Sequence, residues 1–386
     1  IIGFYLADLA RNGHPIDSSV VGNMEASLNI AAFLCAIPFG ILIDRYSPRV
    51  VLIIGALLGA LATQLFALTG LIMIFFVSRA LEGAGSAATQ PGILAHLTDT
   101  TQSFRDLRGK VMSWFELTLF LGIAAGNLLS GVLWDRYGTG SFALLSIFYL
   151  LAATVFWWGT SGETKHVQAH PTFAEAIQGL RVAISDSALR RLAMPWLMFN
   201  AVVGLWLSQF AFLLNGPKWE GQWLVGLLKA EEVAFFLFVY TLAYAVGVVV
   251  GGLYIGKVSR IYIMQVGFMA MFLTTVMFYL LNISGGWPVW VRIAIVIPYI
   301  VGVIIQGGFT PAALSYLADV AGDSAGRGSA MGIYSLLLSL GSVIGALMSG
   351  WLAYRYAFNG LLFGTLLLAT IGLLGLHYVS EQNSDI

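Results

Sequence analysis

Pro91-Gly92-Ile93-Leu94-Ala95-His96-Leu97-Thr98-Asp99 returns 220 residues later as Pro311-Ala312-Ala313-Leu314-Ser315-Tyr316-Leu317-Ala318-Asp319. One residue less of offset then pairs Arg108-Gly109 with Arg327-Gly328, Met112 with Met331, Gly122 and Gly126 with Gly341 and Gly345, Ser130-Gly131 with Ser349-Gly350, and Arg136-Tyr137 with Arg355-Tyr356. Agreement kept over so long a stretch is an internal repeat, and it divides the chain into two halves of like order.

The composition says what solvent those halves need. Of 386 residues 59% are hydrophobic and 10% charged, against roughly 45–50% and about 25% in an ordinary soluble domain. Runs such as Val50–Leu68, Phe142–Trp158, Ala234–Ile255 and Leu361–Leu376 approach the roughly 20 apolar residues that cross a bilayer as a helix. They lack the ten-residue alternation of an outer-membrane barrel, and a helix satisfies its own backbone in hydrocarbon. The expected fold is therefore an all-α membrane protein.

Charged and Gly/Pro-rich punctuation predicts a first span remnant, then helices near 18–43, 49–69, 71–97, 110–134 and 140–159. A second set follows near 191–214, 232–256, 261–282, 289–317, 328–353 and 358–379. These make twelve spans in two sixes: an N-terminal half over 1–160, a central cytoplasmic loop over 161–190 and a C-terminal half over 191–386. The first span is expected to be incomplete, because only about ten apolar residues, half a span, precede the polar run Asp8–Ser19. In the central loop Phe173, Ile177, Leu180 and Ile184 fall at helical spacing against Glu175, Gln178, Arg181 and Asp186, the pattern of a short amphipathic helix on the membrane face.

Basic residues orient the bundle. Loops after even-numbered spans collect Arg45, Arg49, Arg105, Arg108, Lys110, Lys165, Arg181, Arg190, Arg191, Lys257, Arg260 and Arg327, whereas the opposite side holds Arg11, Arg136, Lys218, Lys229, Arg292 and Arg355. The richer side is read as cytoplasmic, with both termini on it. Nineteen basic residues balance nineteen acidic ones, so nothing points to nucleic acid. The single cysteine, Cys35, excludes an intrachain disulfide.

Gly40-Ile41-Leu42-Ile43-Asp44-Arg45-Tyr46-Ser47-Pro48-Arg49 resembles the signature loop of the major facilitator superfamily, Gly-x-Leu-x-Asp-Arg-x-Gly-x-Arg, with Ser47 at the second glycine. A weaker echo, Gly252-Leu253-Tyr254-Ile255-Gly256-Lys257, stands in the second half with Gly256 in the aspartate's place. Arg79-Ala80-Leu81-Glu82-Gly83-Ala84-Gly85 resembles the family's Arg-x-x-x-Gly-x-Gly element, associated with proton coupling in antiporters. Gly122-Ile123-Ala124-Ala125-Gly126-Asn127-Leu128-Leu129-Ser130-Gly131 is similar to the exporter element of the fifth span, with Asn127 where proline is expected and Ser130 where glycine is. Small residues for close helix packing explain Gly122, Gly126, Gly341 and Gly345 equally well.

The resemblance implies a twelve-helix fold of two pseudo-symmetric six-helix halves, parallel repeats of the kind that secondary transporters build around one central site. It implies a cytoplasmic gate formed by Gly40, Asp44, Arg45, Arg49, Arg108 and Arg327. There Asp44 approaches the positive N-terminus of the eleventh helix when the site faces outward. It also implies spans one, four, seven and ten around the cavity, and a monomer.

Polar residues inside spans supply the candidate site. Arg79, Glu82, Ser86 and Gln90 lie on one stripe of span four. A mid-membrane charge costs about 2.5–3.5 kcal/mol on insertion scales, so Arg79 and Glu82 must face the interior and find partners, each other included. Arg292, Tyr299, Gln306 and Thr310 form a similar stripe in span ten. Cavity candidates are Arg79, Glu82, Gln90, Asn200, Trp206, Tyr299 and Gln306, with Tyr240, Tyr244 and Tyr334 next. A proton carrier must be a carboxylate that changes environment between two states, because burial favours its neutral form. Glu82, Glu25 and Glu116 are the acids well inside spans.

The expected function is a proton-coupled secondary transporter exporting an amphipathic or hydrophobic compound, resembling the drug/proton antiporter branch, in the inner membrane. Its partners are a small-molecule solute, protons and membrane lipid. Uptake or uniport of a small polar metabolite and a non-transporting receptor are the alternatives. No nucleophile–base pair, metal cluster, phosphate loop or ATPase domain is visible, so neither an enzyme nor a cofactor or metal is expected.

Overall fold

The structure, a computed structural model, describes residues 1–68, 70–100, 105–160, 187–320 and 326–384. The side chains of Asp44, Arg45, Arg108, Glu116, Arg327 and Tyr334 lie outside the described residues, as does all of 161–186, where the sequence places the amphipathic helix.

Helices are α1 (Ile2–Arg11), α2 (Ser18–Arg45), α3 (Pro48–Leu68), α4 (Ile72–Thr100), α5 (Arg105–Tyr137), α6 (Gly140–Gly159), α7 (Ser187–Asn215), α8 (Ala230–Tyr254), α9 (Arg260–Ile283), α10 (Val289–Gly307), α11 (Phe309–Val320) and α12 (Gly326–Ser384). Nine stretches among the described residues are long and apolar enough to cross a membrane. The last of them, Leu336–Tyr378, contains a turn and so holds two crossings. The chain is a multi-pass α-helical membrane protein.

One element departs from the expected spans. The tenth span breaks into α10 and α11 at Gly308. Pro311 falls in the first turn of the new helix, where its missing N–H is no loss. The eleventh and twelfth spans both lie in α12 and are divided at Ala357, in the gap expected between 328–353 and 358–379; Ala357 adopts φ 47° and ψ −129°.

That turn is held by a polar network. Gln222 donates to the Tyr356 carbonyl (2.9 Å) and accepts from the Asn359 amide (3.1 Å), while Asn282 donates to Asn359 Oδ1 (3.0 Å). A positive φ on a residue with a Cβ costs on the order of 1–3 kcal/mol, and glycine adopts it freely. Ala357→Gly is therefore expected to stabilise the protein by about 1 kcal/mol after the loss of one buried methyl, read as a raised midpoint of thermal unfolding in detergent.

The chain forms two compact units: Ile1–Asn23, Ile123–Asp135 and Gly179–Ile386 in one, Met24–Gly122 and Arg136–Gln178 in the other. In the second, α3 packs on α4 and α6. Phe66 stacks on Phe75 and Phe142 at 5.0 and 5.6 Å between centroids, and Thr63 shares a hydrogen bond with Ser146 at 2.6 Å. In the first unit α7 lies against α12 because Gly341 and Gly345 have no side chains. A Cβ on either would stand 2.6 or 1.9 Å from the carbonyl oxygen of Leu197 or Ala201.

Candidate functional site

The site grows from a glycine. A Cβ on Gly83 would lie 2.0 Å from the Leu28 carbonyl oxygen, so α4 meets α2 backbone to backbone. Two residues on, Gly85 brings α4 against α3, where its Cβ would fall 2.8 Å from the Gly55 carbonyl oxygen.

This crossing puts Glu25 of α2 beside Arg79 of α4. Arg79 donates through Nη1 to Glu82 Oε2 at 2.5 Å and through Nη2 to Glu25 Oε2. The arginine is buried, with 10% of its side chain exposed, while Glu25 and Glu82 keep 21% and 27%. One guanidinium thus serves two carboxylates, and the cluster carries a formal charge of minus one when all three groups are ionised. The Tyr149 ring of α6 closes on α3 nearby, where it fills the space a Cβ at Gly59 would need. Further along the same stripe of α4, Ser86 and Gln90 are exposed.

The candidates in the other unit are mostly engaged with protein. Tyr299 is buried and stacks on Phe278 at 4.9 Å. Gln306 is buried and donates to Thr274 Oγ1 at 2.5 Å. Asn200 turns back to its own helix, donating to the Trp196 carbonyl at 2.8 Å. Trp206 donates to Thr365 at 2.8 Å and meets the edge of Phe358. Tyr240 and Tyr244 stack at 6.3 Å, and the Tyr244 hydroxyl bonds to Thr310 at 2.9 Å. Arg292 does not share an environment with this stripe: it lies over the Trp223 ring at 4.6 Å and donates to the Trp287 carbonyl.

Arg49 donates to the Thr160 carbonyl at the C-terminus of α6 and lies over Trp157, a place where a cation is favoured by the helix dipole. A Cβ on Gly40, Gly122 or Gly126 meets no described atom within 4 Å. The close packing expected of the repeat's small residues is therefore seen at Gly341 and Gly345 and at Gly131, whose Cβ would lie 2.5 Å from the Ala230 carbonyl oxygen. Sequence reasoning did not foresee that α5 reaches α8, where Asn127 donates to Thr241 at 3.0 Å. The one available signal was Asn127 itself, a polar side chain in a span.

The profile of the Major Facilitator Superfamily matches residues 1–326. The chain belongs to this family. It is a membrane transporter of the major facilitator type and not an enzyme. Among curated relatives it is 23% identical over 356 residues to Multidrug resistance protein 1 of Bacillus subtilis (strain 168), covering 87% of this chain and 81% of the relative. It is 25% identical over 381 residues to the uncharacterized MFS-type transporter YwfA of the same organism, with 94% and 84% covered.

Solved major facilitator-like structures share the fold. A mutant of the nucleoside transporter NupG superposes with a TM-score of 0.76 at 13% identity, over 98% of this chain and 93% of that one. A mutant of the peptide transporter POT in complex with sulfate gives 0.76 at 16% identity, over 98% and 91%. These likenesses speak for the fold alone.

Proposed function

We propose that this transporter exports an amphipathic or hydrophobic compound in exchange for protons, and that Glu25 and Glu82 carry the proton beside Arg79. The observation that carries the reading is the unequal count of charges in the cluster. A single guanidinium shared by two half-buried carboxylates is one positive charge short of neutrality, and a charge uncompensated within a span is costly. A proton on either carboxylate supplies it, as does a cationic group on the solute. The two then exclude one another, which is what exchange requires. The name of the Bacillus relative, Multidrug resistance protein 1, supports drug-like solutes and outward transport.

On this reading the halves 1–160 and 191–386 rock about the cluster in the inner membrane, the basic loops face the cytoplasm, and the protein works as a monomer. Asp44 latches the cytoplasmic gate at the start of α12 when the site faces outward.

The test is flux in reconstituted vesicles under an imposed pH gradient, with ethidium as the aromatic probe. Wild-type protein should move the dye against its gradient and lose this on addition of a protonophore. Glu82→Gln and Glu25→Gln should each lower gradient-driven flux at least tenfold, a barrier change of about 1.4 kcal/mol, while dye-for-dye exchange persists. Dye movement indifferent to the pH gradient in all three proteins would discard proton coupling and leave uniport. Flux in the direction of the proton gradient would reverse the assignment to import.

A further inference from the structure

We propose that Asp135 is the latch of a gate formed where α5 meets α8, holding that seam shut by capping α8 from the neighbouring helix. Asp135 Oδ2 accepts a hydrogen bond from the backbone N–H of Glu231 at 3.2 Å, in the first turn of α8. Two further contacts hold the seam beneath it: a Cβ on Gly131 would lie 2.5 Å from the Ala230 carbonyl oxygen, and Asn127 bonds to Thr241 further along. Tyr5 of α1 packs on Trp134 at 5.7 Å, next to the latch.

The internal repeat gives this seam a twin. Gly350 corresponds to Gly131, and a Cβ on it would lie 3.3 Å from the Ser18 carbonyl oxygen at the start of α2, as a Cβ on Gly131 would lie 2.5 Å from the Ala230 carbonyl oxygen at the start of α8. A Cβ on Gly22 would lie 2.6 Å from Gly350 Cα, so this second seam is equally tight. Gln209, wholly buried, ties it by donating to the Ser18 carbonyl at 2.8 Å.

The helices that start at the two seams differ in one respect. α2 carries its own cap, since Asp17 Oδ1 accepts from the Val20 amide at 2.9 Å. α8 has Lys229 at its N-cap, whose ammonium has no acceptor to offer the exposed amides. Glu232 turns back to the Lys229 amide at 2.8 Å and leaves the Glu231 amide to Asp135. A cap on the same helix stabilises it in every conformation. A cap supplied by another helix exists only while the two are together, so it favours the closed seam. The twin position to Asp135 is Tyr354, which has no carboxylate, and α2 needs none.

Spin labels at Val132→Cys and Phe235→Cys, exposed positions of α5 and α8, report the seam directly once Cys35→Ser has removed the native cysteine. In wild-type protein in nanodiscs the short distance should dominate. Asp135→Ala should lower the ratio of closed to open seam by roughly two- to fivefold, the scale of an exposed carboxylate at a helix N-terminus. Lys229→Asp gives α8 a cap of its own in both states, and in that background Asp135→Ala should change the distances much less. Asp17→Ala, which removes only a local cap, should lower thermal stability and leave the distances unchanged. An unaltered distance distribution in Asp135→Ala, or an equal shift with and without Lys229→Asp, would overturn the latch. No solute is needed, so the result stands or falls apart from proton coupling.

Discussion

Arg79→Ala is expected to cost about 3 kcal/mol of stability and to abolish transport. Removing one member of a buried ionic cluster leaves the others uncompensated, a loss of roughly 3–5 kcal/mol where the partners are fully buried. The lower end applies here because Glu25 and Glu82 retain 21% and 27% exposure. Arg79→Lys should rescue only part of the loss, because a single ammonium lacks the fork that reaches Glu82 through one nitrogen and Glu25 through another. The combination of Arg79→Ala with Glu25→Gln and Glu82→Gln should recover the folded fraction and not the flux. Thermal unfolding and gel-filtration yield read the first quantity, and vesicle flux the second.

Gly83→Val is the second large effect. The atom such a side chain would strike, at 2.0 Å, is the backbone oxygen of Leu28, which cannot swing aside as a side-chain tip can. The helices must separate, at about 1–3 kcal/mol for ordinary overpacking and more where backbone must move. That separation also pulls Glu25 away from Arg79, so flux should fall beyond what the loss of folded protein explains. Gly40→Ala makes the contrast: no described atom lies within 4 Å of its Cβ, and alanine is about 1 kcal/mol better than glycine inside a helix. It should be neutral or stabilising in the same unfolding assay.

The two glycines look alike in the sequence, and this marks where sequence reading stops. The stripe Arg79, Glu82, Ser86 and Gln90 was legible because residues three and four apart share a helix face. The partnership of Arg79 with Glu25 was not, since helical periodicity says nothing about which face of one helix meets which face of another. Glu25 could be named as an acid inside a span, and the crossing at Gly83 is what joins it to the cluster. Likewise the polar residues of the tenth span were legible as a stripe, but the break at Gly308 and the bonds from Gln306 to Thr274 and from Tyr244 to Thr310 depend on where α9 and α8 lie. The turn at Ala357 falls in the gap the sequence left between 328–353 and 358–379, but its positive φ was not legible, because alanine is an unusual choice for that conformation. The architecture itself was legible, because span length and the repeat are properties of the chain alone.

The proposed exchange turns on one acid cluster that would hold a proton or a solute and not both. The most direct measurement is proton release from purified, weakly buffered wild-type protein as ethidium is added. About one proton per dye bound is predicted, with none from the Glu25→Gln, Glu82→Gln double variant. Saturable dye binding to wild-type protein without any proton release, or release of the same size from the double variant, would contradict it.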